Sequence, residues 1–193
     1  MSISKTIYVE SSAGGIEHNL NAVLASQGEI FLTESITTEI AMDFVSIMKY
    51  MAQEEKEVTL YINCNGGEVN AGLVMYDAIQ AYPYTLNIIC TGMAGSMAGV
   101  LLAGGQKGRR FILPHSKVMI HEPLITNGFG GSATTIEKKA QSILEIKSVI
   151  NNILAEATGR SIEEINNATS YDNFMNADEA ISFGICDEIK NIY

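Results

Sequence analysis

Three residue types in this chain could together carry out nucleophilic acyl transfer: a serine in a corner of small residues, a histidine ending an apolar strand, and an aspartate further on. Ser96 lies within Thr91–Gly105, TGMAGSMAGVLLAGG, where Gly92, Ala94, Gly95, Ala98 and Gly99 crowd the point between a strand-like run, Tyr84–Cys90, and an apolar run of helical character. A serine at such a corner meets the unpaired N–H groups and the positive dipole end of the helix, which favour a developing negative charge. Taken alone, Ser96 reads first as a helix N-cap, a position serine fills well. His121 follows the strand-like Lys117–Ile120 and precedes Pro123, which stops strand pairing. A packing role would also place a histidine there. His18 reads as an exposed or capping residue, and His115, inside a turn, as structural.

A hydroxyl is a poor nucleophile until a base takes its proton, and the imidazole needs a carboxylate to hold its tautomer. Two N–H donors must also receive the oxyanion. The glycine pair closing Asn63–Gly67 (NCNGG) and the amide of Met97 are the candidates. Spacing does not choose among Asp172, Asp178 and Asp187 as the carboxylate. The order Ser96…His121…Asp differs from the Ser…Asp…His of α/β-hydrolases, and the flanks A-G-S-M-A differ from G-x-S-x-G, so that class is disfavoured.

The elements that must position these groups follow from periodicity. Glu29–Leu32 and Val58–Ile62 read as strands, the second apolar enough for burial on both faces. From Thr37, Ile40, Phe44, Ile47, Met48 and Met51 recur at helical spacing, with Glu54–Glu57 as a solvated end. Met75, Ala78, Ile79 and Tyr82 form a second helical stripe ending before Pro83. Arg110–Leu113 and Lys117–Ile120 read as strands separated by the turn residues Pro114-His115-Ser116. Thr134 with Glu137 reads as a capping box opening a long helix that Gly159 stops. Along it Ile136, Ile143 and Ile150 recur at sevens beside Ala140, Ile146 and Ile153. At more than about twenty residues it is long for a small domain and is predicted to meet a partner subunit. Ser161 with Glu164 and Asn176 with Glu179 cap two shorter helices, the last ended by Gly184. Met1–Gln27 shows little pattern; Ser11–Gly15 reads as a turn or mobile loop, and Asn127–Gly131 as flexible or extended. The alternation of strands and helices predicts one α/β domain.

Composition narrows the classes. With 193 residues, 47% hydrophobic and 18% charged, the chain can build a substantial core. A net charge of −10, with no basic cluster beyond Lys107–Arg110, argues against nucleic acid as a partner. Three widely spaced cysteines, Cys64, Cys90 and Cys186, suit neither a disulfide framework nor a zinc site and fit a reducing cytoplasm. No signal peptide or membrane span is expected.

Four stretches in order, YINCNGGEVNAG (61–72), ICTGMAGSMAGVLLAGG (89–105), KGRRFILPHSKVMIHEPL (107–124) and DNFMNADEAISFGICDEI (172–189), resemble the ClpP family, the proteolytic subunit of the ATP-dependent Clp protease. The similarity runs from about Glu29 to the C-terminus. It implies a crotonase-like α/β fold, a spiral of ββα units with a protruding handle helix at about 132–158, in a peptidase domain of residues 29–193. Residues 1–28 would be a poorly matched axial-loop segment. It implies a serine endopeptidase that cuts unfolded polypeptides, with Ser96 as nucleophile, His121 as base and Asp172 as orienting carboxylate. Asp172 is chosen because DNFMNADEA matches the family's context for that residue. Gly67 and Met97 match the oxyanion donors, and Val69 and Leu124 match positions flanking the bound peptide. The resemblance also implies heptameric rings stacked by the handle helix as a tetradecamer, an AAA+ unfoldase partner such as ClpX, ClpA or ClpC, and no metal or cofactor, ATP being used by the unfoldase.

The chain departs from the family pattern at several places. Cys64-Asn65 stand where Ser-Pro is usual, Tyr171 where arginine often precedes the aspartate, and Thr59 and Thr91 where the unfoldase-docking pocket usually has tyrosine and methionine. These departures motivate a second reading, a non-catalytic ring subunit that modulates an active paralogue. A third, an acyl-CoA enzyme of the same fold, would need an oxyanion hole but no Ser–His pair.

Overall fold

Apolar alternation and helical stripes become strands and helices through most of the chain. The computed structural model describes residues 6–11, 14–124 and 130–191. In chain order its elements are β1 (Thr6–Ser11), β2 (Gly14–Asn19), α1 (Leu20–Ser26), β3 (Glu29–Leu32), α2 (Thr38–Gln53), β4 (Val58–Cys64), α3 (Val69–Gln80), β5 (Leu86–Gly95) and α4 (Met97–Ala103). They continue with β6 (Arg110–Ile112), β7 (Lys117–Ile120), α5 (Ala133–Thr158), α6 (Ile162–Thr169), β8 (Asn173–Met175), α7 (Ala177–Phe183) and β9 (Glu188–Ile189).

β1 and β2 pair as a hairpin, and seven strands form the main sheet, whose central path β3-β4-β5-β6-β9 is parallel. β5 has two successive neighbours on the edge away from β4: Ile88–Cys90 pair with β6, and Met93–Gly95 pair with β7. β7 then pairs antiparallel with β8. This change of neighbour opens the sheet near the C-terminal end of β5, where α/β folds keep their sites.

The core explains why the middle strands read as near-continuous apolar runs. Val58, Leu60 and Ile62 of β4 and Leu86, Ile88 and Cys90 of β5 are fully buried, under Phe44, Met48 and Met51 of α2 and Met75 and Ile79 of α3. Every residue of α4 is buried, which is why that short helix carries no polar face. α5 is the opposite: residues 133–142 are all exposed, and burial begins only toward Ile146 and Ile150. Its first turns therefore extend past the chain's own core.

Several boundaries differ from the sequence expectation. β4 continues two residues beyond Ile62, and β5 runs from Leu86 to Gly95 rather than from Tyr84 to Cys90. Pairing with β7 keeps Met93–Gly95 extended despite Gly95, and a register shift between Ile62 and Cys64 lets the lengthened strands pair again at Cys64 and Ala94. At that shift the Asn63 carboxamide oxygen accepts the Met93 N–H at 3.1 Å. The expected Thr134–Glu137 capping box is not the start of α5. Ser132 is the N-cap, in extended conformation, and its hydroxyl accepts the Thr135 N–H, which leaves Thr134 inside the first turn. Gly159 ends α5 at φ 77°, and the boxes at Ser161–Glu164 and Asn176–Glu179 are both formed. Within the two glycine-containing loops, residues 12–13 and 125–129 lie outside the described residues.

One polar network ties the C-terminal part to the sheet. Arg110 is buried, and its guanidinium forks onto Asp187, with Nε 2.9 Å from Oδ2. It also donates to the carbonyls of Ala103, at the end of α4, and Ala157, near the end of α5. Burial alone would raise the Asp187 carboxyl, but hydrogen bonds from the Arg110 side chain and backbone, its charge and the Gly108 N–H hold it below the usual carboxylate range. A depressed folded-state value means that this stabilisation is present above the unfolded value of about 3.9 and lost as pH falls through the folded one. Asp187→Asn, which leaves the Arg110 charge uncompensated, should cost about 3 kcal/mol at pH 7 in urea unfolding. The gap to the unaltered protein should narrow below about pH 4; a gap independent of pH would show that the pair does not act through charge.

Candidate active site

Strand register brings the histidine and one aspartate together. In the antiparallel β7–β8 ladder Ile120 faces Asn173, so the next position on each strand sets His121 opposite Asp172. Beyond it the Glu122 N–H donates to the Thr169 carbonyl at 2.7 Å, fixing the chain that leaves the strand. His121 Nδ1 lies 3.0 Å from Asp172 Oδ1, and Nε2 lies 2.8 Å from Ser96 Oγ. A carboxylate only accepts, so Nδ1 carries the proton, and Nε2 is free to accept from the Ser96 hydroxyl. The imidazole is mostly shielded, 13% exposed, whereas the Asp172 side chain is 62% exposed. Of the other two candidate carboxylates, Asp187 is taken by Arg110, and Asp178 lies in the first turn of α7.

The backbone at Ser96 decides between cap and nucleophile geometry. Ser96 occupies the N-cap position of α4, yet its side chain makes no cap hydrogen bond. It has φ 52° and ψ −124°, and among the described residues Glu55 is the only other non-glycine with positive φ. Such a conformation costs on the order of 1–3 kcal/mol and persists only where neighbours impose it. Here the Ser96 N–H donates to the Met119 carbonyl at 2.8 Å, while its own carbonyl accepts from Val100. The hydroxyl is thereby turned away from the helix amides and onto the imidazole.

The glycine turn packs directly on this corner. A Cβ on Gly66, whose φ is 103°, would lie 2.7 Å from the Gly95 carbonyl oxygen, 2.7 Å from Ser96 Cβ and 3.1 Å from the Met97 nitrogen. Gly67 forms a parallel bridge with Ile36: the Ile36 N–H donates to Gly66 and its carbonyl accepts from Glu68. In that pattern the bonds flank Gly67 and leave its own N–H on the opposite side of the strand. Met97 opens α4, so its N–H is one of the four that a helix leaves without an intrahelical acceptor. The Met97 side chain, by contrast, is buried against Gly72 of α3. The glycine turn thus packs against the Ser96 corner, and the Gly67 and Met97 N–H groups are the backbone donors it leaves without a partner of the fold's own.

Val69, at the start of α3, is half-buried against the core, and Leu124, just past the histidine, is 66% exposed. No described contact joins either to the three side chains. A cavity of about 320 Å³ lined by Tyr76, Gln80, Gly104, Lys107 and Glu156 holds none of them and lies over α3, α4 and the end of α5. Sequence reasoning missed two contributors, the Asn63 carboxamide at the Ile62–Cys64 register shift and the Lys147–Glu122 ion pair at 2.6 Å, which joins α5 to the residue after His121. Neither has a local signal, since each partner lies on a distant element.

Gly66→Ala should slow labelling of Ser96 by a fluorophosphonate about 100-fold, because the added methyl displaces the corner by a fraction of an ångström or more. Unchanged labelling in a folded variant would mean that the turn does not set the hydroxyl.

The arrangement supports acyl transfer by a serine with a histidine base. The family model described as Clp protease matches residues 12–192, all but the first eleven residues and the last. The fold is accordingly the crotonase-like α/β fold of that family. The chain belongs to the Clp protease family.

Proposed function

We propose that this chain is the proteolytic subunit of an ATP-dependent Clp protease and works as a serine endopeptidase on unfolded polypeptides. Membership of the family supports a peptidase; the unbroken hydrogen-bonded chain from Ser96 Oγ through His121 to Asp172 is the observation that carries the serine mechanism. In the first half-reaction Ser96 Oγ attacks the scissile carbonyl carbon as its proton passes to His121 Nε2. Gly67 and Met97 N–H groups receive the oxyanion, and Asp172 stabilises the imidazolium that forms. Collapse expels the amine, which takes the proton from His121, and leaves an ester on Ser96. Water, deprotonated by His121, then attacks the ester, and collapse returns the proton to Ser96 with release of the acid.

Val69 and Leu124 would flank the bound peptide, which adds as a strand along the edge that Leu124 opens. The exposed first turns of α5 support a role in joining rings, with heptamers stacked as a tetradecamer and residues 1–28 as axial loops over a peptidase domain of residues 29–193. An AAA+ unfoldase such as ClpX, ClpA or ClpC would consume ATP and feed the chamber; the chain itself needs no metal or cofactor. No described helix is long and apolar enough to cross a membrane, and the acidic charge and free cysteines support a cytoplasmic protein without nucleic-acid partners. A side-chain constellation intact to hydrogen-bond distance favours an active subunit over a modulatory one.

The test is hydrolysis of a fluorogenic peptide by the purified protein. Ser96→Ala and His121→Ala should each lose roughly 10³-fold or more in kcat, with assembly unchanged. Wild-type activity in Ser96→Ala would remove the serine assignment, and an inactive wild type that gains activity only with a paralogue would favour the modulatory reading.

A further inference from the structure

The residue that shapes the oxyanion turn from below is a cysteine that the reaction does not use. Cys64 ends β4, is 3% exposed, and pairs across the sheet with Ala94, two residues before the nucleophile. Its sulfur lies 3.0 Å from the Glu34 carbonyl oxygen, 3.2 Å from the Gly66 nitrogen and 3.6 Å from the Gly66 carbonyl oxygen. One S–H and one lone pair thus serve two segments: the thiol donates to the loop between β3 and α2, and accepts from the glycine turn. Those segments are the two that meet in the Ile36–Gly67 bridge, and that bridge aims the Gly67 N–H.

We propose that Cys64 is a positioning residue for the oxyanion hole, its neutral thiol holding the Gly66-Gly67 turn against the loop at Glu34–Ile36 so that the Gly67 amide faces the Ser96 corner. The claim rests on the serine-peptidase reading above. Burial raises the Cys64 thiol, against the opposing effect of the backbone hydrogen bonds at Gly66 and Ile36, so the group keeps the proton it donates. A thiolate there would face two carbonyl oxygens with nothing to give them. Removing the sulfur would strand the Gly66 N–H in a buried site and free the turn to shift.

A hydroxyl can donate and accept in the same way as a thiol, which separates positioning from filling space. Cys64→Ser and Cys64→Ala are compared with the unaltered protein on a fluorogenic peptide, with thermal melting as a check on folding and Ser96→Ala as the blank. Cys64→Ala should lower kcat by about ten- to a hundredfold with KM within about twofold, since the misaligned donor acts on the transition state. Cys64→Ser should recover most of that loss. Equal kcat in all three proteins, or equal loss in both variants, would overturn the positioning role and leave the serine mechanism standing. Should Cys64→Ala not fold, Cys64→Ser carries the test: near-wild-type kcat supports the role, and a large loss overturns it. Hydrolysis by the unaltered protein no greater than by Ser96→Ala would overturn both readings.

Discussion

The site depends on one costly backbone conformation, the positive φ of Ser96 between the end of β5 and the start of α4. An extended serine at this N-cap would aim its hydroxyl at the helix amides and be spent on capping. Forced to φ 52°, it leaves those amides unoccupied and places its oxygen on the His121 ring instead. The same distortion therefore frees the Ser96 hydroxyl for the imidazole and leaves the Met97 N–H without a cap partner. The energy comes from elsewhere: the wholly buried α4 fixes one side of the corner, and the hydrogen bond to Met119 fixes the other.

The sheet supplies the remaining alignment through register rather than through long side chains. β5 leaves β6 for β7 after Cys90, and this brings the Ser96 corner beside the end of β7. β7 in turn carries β8, whose opposite direction returns Asp172 to face His121. A shift of one residue in either ladder would put the histidine on the other face of the sheet. Register is held by the buried Val118 and Ile120 of β7 and Met175 of β8, and by the Arg110–Asp187 fork that ties the last strand region to α4 and α5. The alignment of the three side chains is thus inherited from packing far from Ser96 Oγ.

Much of this was legible in the sequence where the signal is local. β3 and β7 match their expected bounds because short apolar runs there are cut off by turn residues, and α6 and α7 start where expected because their capping boxes are complete within four positions. What escaped was set at long range. Met93–Gly95 have weak strand propensity and are extended because β7 pairs with them on one side and Cys64 of β4 pairs with Ala94 on the other. Ser132, Thr134 and Thr135 all offer hydroxyls for the start of α5, and Ser132, the extended one, is the cap. The hairpin β1–β2 has no apolar alternation strong enough to announce it. For the site, residue types and order identified Ser96 and His121, but spacing left three aspartates open. Only family resemblance picked Asp172, which the β7–β8 register then sets beside the ring.

The central claim is that Ser96 bonds to the substrate carbon while Gly67 and Met97 hold its oxygen. A crystal structure of the protein treated with a peptide boronate tests this directly. Boron should be bonded to Ser96 Oγ, with one boronate oxygen about 2.7–3.1 Å from both the Gly67 and the Met97 nitrogens. Boron on another residue, or an oxygen facing solvent away from both amides, would contradict the account.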